Sequence, residues 1–123
     1  MKHFTTLDKS IDYYWASPYS HPDKDVMEAR YQEASDLAVE FIKEGFFLIE
    51  PIAMCHHKDQ LPKGYDYWKT RDRRFIKKSD AVIVCLMDGW EESVGVTDEI
   101  YYAKELGKPV YGLDPKTLQV VVL

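Results

Sequence analysis

Apolar residues fall into two patterns along the chain. Short, nearly continuous apolar runs occur at residues 11–16 (IDYYWA), 46–50 (FFLIE), 81–87 (AVIVCLM) and 109–113 (PVYGL), and LQVVVL at the C-terminus adds a candidate fifth. Between them the spacing is helical. From Asp23 to Glu44 the positions Val26, Arg30 (through its stem), Ala34, Leu37, Ala38, Phe41 and Ile42 share one face, and Gly45 supplies a stop. A second helix is predicted over residues 65–78, and a third ends near Leu106 with Gly107 just beyond. Residues 52–64 have weak periodicity and read as a long loop. Continuous apolar strands alternating with helices predict a mainly parallel sheet covered on both faces. In such sheets ligands gather at the carboxyl ends of the strands. Those ends carry residues 17–21, 51–57 and 88–94.

The same periodicity separates the carboxylates of GWEESVGVTDEIYYAKELG. On a helix through Val96 and Leu106, the inward arc holds Val96, Ile100, Ala103 and Leu106. Glu99 falls inside that arc, while Asp98 lies opposite with Tyr102 and Glu105 and reads as a solvated charge complementing the helix dipole. Glu91 and Glu92 precede the helix. A carboxylate on an inward arc loses solvation unless it is paired or hydrogen-bonded, so Glu99 is a site candidate as well as a structural cap or ion pair. The second helix repeats the anomaly. Asp72 shares a stripe with Trp68, Phe75 and Ser79, where an ion pair with Arg71, Arg73 or Lys69 is the structural explanation. Ser93, in a Ser-Val-Gly stretch entering the third helix, offers a hydroxyl beside Gly95 and free N–H groups, which suit either an N-cap or a phosphate.

Length and charge narrow the reading. The 123 residues predict one domain spanning the whole chain, and 46% hydrophobic composition makes it globular. A net charge of −5 argues against a protein built to hold nucleic acid polymers but leaves nucleotides open. No apolar run has the length of a membrane span, and the first residues lack a signal-peptide core. The two cysteines, Cys55 and Cys85, make no disulfide framework, so a cytoplasmic location is expected. His56 and His57 follow Cys55, with His21 on a neighbouring loop, but CHH lacks metal-site spacing; a pocket-lining loop is preferred, with no metal and no cofactor. Tyr19, Trp68 and Trp90 are candidates for stacking on a base, as well as for closing a core.

Taken together, YWASPYSHP, RDRRFIKKSDAVIV and GWEESVGVTDEIYYAKELGKPVYGLD resemble the nucleoside 2-deoxyribosyltransferase-like superfamily over residues 13–114. More narrowly, the chain resembles a small bacterial and phage branch whose function is largely unassigned. The resemblance implies a flavodoxin-like or Rossmann-like three-layer α/β/α sandwich with four or five strands. It implies a nucleophilic role for Glu99, sugar or base contact and proton transfer for Asp72, and orientation of the nucleophile by Tyr14. Ser93, six residues before Glu99, matches the phosphate-binding serine of nucleotide hydrolases. Ser17 and Pro18 stand where a glycine usually follows the first strand, and the C-terminus lacks the segment that relatives extend into a neighbouring subunit. The implied activity is cleavage of the N-glycosidic bond of a nucleoside or nucleoside 5'-monophosphate, by hydrolysis or transfer, in a homodimer or higher homo-oligomer. A non-catalytic nucleotide sensor of the same fold is the alternative, and a structural or interaction protein the third reading.

Overall fold

The computed structural model describes residues 6–56, 58, 61 and 64–123. Five strands and three helices follow in the order β1 (Asp12–Ala16), α1 (Lys24–Lys43), β2 (Phe47–Ile49), α2 (Tyr65–Lys78), β3 (Ala81–Cys85), α3 (Val94–Glu105), β4 (Val110–Leu113) and β5 (Val120–Val122). The strands form one sheet in the order β2-β1-β3-β4-β5. The first four are parallel and β5 is antiparallel to β4. The result is a three-layer α/β/α architecture, as the alternation of strands and helices predicts.

The side-chain period of a strand explains why the central runs are continuously apolar. In β1, Tyr13 and Trp15 enter a cluster with Ala34, Leu37, Ala38 and Phe41 of α1, whereas Tyr14 and Ala16 enter a second cluster with Ile76 of α2 and Val96 and Ala103 of α3. All five residues of β3 are buried. Burying each large aliphatic chain contributes about 1.5–3 kcal/mol, so the two clusters clamp the sheet from both sides. On the α1 side, Trp15 packs edge-on to Phe41 with ring centroids 5.2 Å apart, and its indole N–H donates to the Ala34 carbonyl at 3.2 Å. Gly45, at φ 96°, ends α1 in a conformation that side chains rarely adopt.

Residues 46–50 were expected to form a buried strand, but β2 lies at the sheet edge, and Phe47 is 65% exposed. With β1 as its sheet partner, β2 sends Phe46 into the core and Phe47 outward.

The helix α2 is strongly basic, and Ile76 is its one fully buried residue. Polar contacts therefore share in fixing its position. Arg73 donates through two nitrogens to Asp98 of α3, at 3.1 and 2.6 Å, and Lys69 lies 3.8 Å from the same carboxylate. At the other end, the Lys108 ammonium donates to the carbonyls of Ile76, Lys77 and Ser79, where a cation complements the helix C-terminus. The expectation that Asp98 is a solvated first-turn charge is thus corrected. The helix α3 begins at Val94, which places Asp98 in its second turn against α2, with a side chain only 15% exposed.

Candidate functional site

Above the carboxyl ends of β1 and β3 lies a cavity of about 730 Å³. Its walls come from the β1–α1 loop, the turn after β2, the inner face of α2 and the start of α3. Helical periodicity delivers its two central acids. Asp72 sits one turn above the anchor Ile76, and Glu99 one turn before the buried Ala103. Both carboxylates line the cavity.

Glu99 is 8% exposed, and the fully buried Tyr14 donates its hydroxyl to Glu99 Oε2 across 85 positions of sequence. Asp72 lies within hydrogen-bonding reach of Glu99 and Tyr14. Its Oδ1 also accepts from Arg71 Nε and one guanidinium NH2 nitrogen, at 3.1 and 2.9 Å. Arg71 is itself held by the Pro51 carbonyl at 3.1 Å and by the Trp68 ring, 4.8 Å away.

This environment governs protonation. Burial pushes the Glu99 carboxyl well above the usual carboxylate range, and the Asp72 charge pushes the same way, against the Tyr14 hydroxyl. Burial raises Asp72 as well, but the Arg71 guanidinium opposes it. Tyr14 is driven well above its ordinary value by burial and then by the Glu99 charge, so it stays a phenol and a donor. The two acids therefore titrate as a unit. Their first shared proton rests on the Glu99 side, because Asp72 alone has a guanidinium partner.

At the opposite wall, Ser93 is the N-cap of α3, its Oγ accepting from the Val96 N–H at 3.2 Å. The hydroxyl proton is not consumed by that bond, and the first-turn N–H groups of a helix lack intrahelical partners. A Cβ added at Gly95 would meet only Ser93 Oγ, 3.9 Å away, so this corner of the cavity is open to close approach by a ligand.

The structure thus brings Tyr14, Ser17, Tyr19, Asp72, Ser93, Gly95 and Glu99 to one cavity. Three expected substrate-binding residues stand elsewhere. Pro18 is fully buried beneath the loop. Trp90 follows β3 on the far side of that loop and borders a separate depression of about 700 Å³, together with Glu91. His56 stands behind the wall, where its Nδ1 is 2.6 Å from the Tyr19 hydroxyl. His21 does not join it; its Nδ1 accepts from the Asp23 N–H at 2.9 Å. His57 lies outside the described residues, among which no group of three or more His, Cys, Asp or Glu side chains could hold a metal ion. Among the described residues, no helix is long and apolar enough to cross a membrane. Sequence reasoning missed Cys55 and Asp98 as cavity residues and Arg71 as more than one of several ion-pair choices. The spacing of Trp68, Arg71 and Phe75, which stacks all three, was the available signal for Arg71.

A solved structure described as "2-desoxiribosyltransferase from Leishmania mexicana" is similar to this chain, with a TM-score of 0.56 and 24% identity. The match covers 84% of this chain and 63% of that one, so the chain spans less than two thirds of its length. The fold is therefore nucleoside 2-deoxyribosyltransferase-like. No curated protein matches. Residues 12–114, most of the chain, match the model of the family described as Domain of unknown function (DUF1937), and the chain belongs to that family.

Proposed function

We propose that this protein cleaves the N-glycosidic bond of a nucleoside or (deoxy)nucleoside 5'-monophosphate through Glu99. The observation that carries this reading is the buried Glu99 carboxylate, held by Tyr14 and facing Asp72 inside a cavity large enough for a nucleotide. In the reaction, the shared proton moves to Asp72 and leaves Glu99 anionic. A Glu99 oxygen bonds to the anomeric carbon as the carbon–nitrogen bond breaks. The bonding pair goes to the base nitrogen, which takes the proton from Asp72. Oxocarbenium character in the sugar favours ionised Glu99 as the transition state approaches. Water, or the nitrogen of a second base, then attacks the anomeric carbon, returns its proton to Asp72 and frees Glu99. Tyr14 orients the nucleophile by its single hydrogen bond. Ser93 and Gly95, at the N-terminus of α3, support a 5'-phosphate as the preferred substrate group. The reading includes a homo-oligomer, supported by Tyr65, Tyr67 and Tyr101, which are 46%, 50% and 60% exposed on α2 and α3.

The test is incubation with nucleosides and their 5'-monophosphates, with free base separated by chromatography. Release is expected from the wild type and not from Glu99→Ala; release that survives Glu99→Ala sinks the mechanism. Added free acceptor base distinguishes transfer from hydrolysis. One observation favours a second reading, a non-catalytic nucleotide sensor. In the unliganded pair the proton rests on Glu99, which is then no nucleophile. Tight binding of a nucleotide without any base release would establish that alternative.

A further inference from the structure

Outside the acid pair, a second hydrogen-bonded chain reaches the cavity. The Tyr19 phenol lines the cavity wall, and its oxygen is 2.6 Å from His56 Nδ1. His56 Nε2 is 2.5 Å from Glu28 Oε2. The imidazole stacks on Tyr31, with centroids 3.9 Å apart and planes 20° from parallel, and its side chain is 7% exposed. Three separate segments build this chain: the β1–α1 loop, α1 and the turn after β2. Glu28 and Tyr31, three positions apart, present one face of α1 to His56.

The direction of the hydrogen bonds follows from the donors available. An ionised carboxylate only accepts, so Nε2 carries the ring proton. In the neutral imidazole Nδ1 is then an acceptor, and the Tyr19 O–H must donate to it. What Tyr19 offers the cavity is its oxygen lone pairs. Met27, Ile52 and Cys55 line the cavity with Tyr19 and suit a flat base, whereas Ser93 and Gly95 suit a phosphate.

We propose that Glu28 and His56 position Tyr19 as a hydrogen-bond acceptor, which makes the cavity select a nucleobase bearing an amino group over its oxo counterpart. The inference rests on a nucleotide being the ligand. Tyr19 is the contact, and His56 and Glu28 are positioning residues acting through it. An oxo group would set its lone pairs against those of the phenol, leaving a desolvated acceptor unpaired.

The experiment measures calorimetric dissociation constants at pH 8 for two pairs of probes, the 5'-monophosphates of deoxyadenosine and deoxyinosine and those of deoxycytidine and deoxyuridine. The Glu99→Gln background removes turnover. The amino member of at least one pair is expected to bind about tenfold tighter, the ratio that one hydrogen bond supplies. Tyr19→Phe should bring that ratio near one. So should Glu28→Ala, which lies outside the cavity and lets His56 take either tautomer. A brace without a recognition role would change all four affinities together and leave the ratios alone. Ratios near one in the parent, or ratios unmoved by both variants, overturn the inference. Base release by the wild type alongside such ratios would leave the glycosidase reading standing; binding of none of the four probes would overturn both.

Discussion

Replacing Tyr14 with Phe isolates the hydrogen bond on which the proposed nucleophile depends. Tyr14 is fully buried, so the substitution removes one oxygen and leaves Glu99 without that donor. A hydrogen bond to a charged group is worth about 1.5–3 kcal/mol, and 1.36 kcal/mol corresponds to one pKa unit. Its loss disfavours the carboxylate, so the Glu99 carboxyl, already raised by burial, rises by about one to two further units. The acid limb of base release then moves to higher pH by the same amount, and kcat below that limb falls about 10- to 100-fold with little change in KM. Stability gives a second readout. A carboxyl raised above its model value of 4.5 contributes stability that is present below that value and is lost as pH rises towards its folded pKa. Tyr14→Phe carries that loss further, so its destabilisation should grow with pH above about 4.5 and level off beyond the folded value. The assays are the pH profile of base release and thermal unfolding across the same pH range. An unmoved acid limb, in a variant that folds, would refute the assignment of Tyr14 to the nucleophile.

Two further predictions concern the walls of the cavity. Ile76→Ala removes the one fully buried residue of α2, one turn from Asp72, and should cost about 2–5 kcal/mol in denaturant unfolding while also slowing base release. Ile76→Val should cost about 0.5–1.5 kcal/mol and leave activity near wild type. Ser93→Gly keeps an acceptable N-cap, so its stability should change by only a few tenths of a kcal/mol, as ~0.3 kcal/mol in unfolding experiments. The preference for a monophosphate over its nucleoside should fall about tenfold or more, read as the ratio of kcat/KM values.

The order of elements and the placement of Asp72 and Glu99 on inward faces were legible in the sequence. Both are local properties. A continuous apolar run reports a strand covered on two sides, and a period of 3.6 residues reports which side of a helix faces the sheet. Periodicity does not report what covers the other side. Asp98 points away from the apolar arc of α3, yet it is two-thirds enclosed or more, because α2 packs there and sends Arg73 to it. Trp90 and Pro18 lie close in sequence to the predicted site and outside its cavity, because the paths of the loops decide which side chains turn inward. Phe47 looked as apolar as Phe46, but an edge strand has no neighbour to cover it.

The sequence by itself determined a doubly covered parallel sheet and singled out two acids in the wrong company. Only the tertiary structure joined Tyr14 to Glu99, set Arg71 on Asp72 alone, and linked Glu28 through His56 to Tyr19. Those links run between segments far apart in the chain, and their energies depend on burial that no single segment can create.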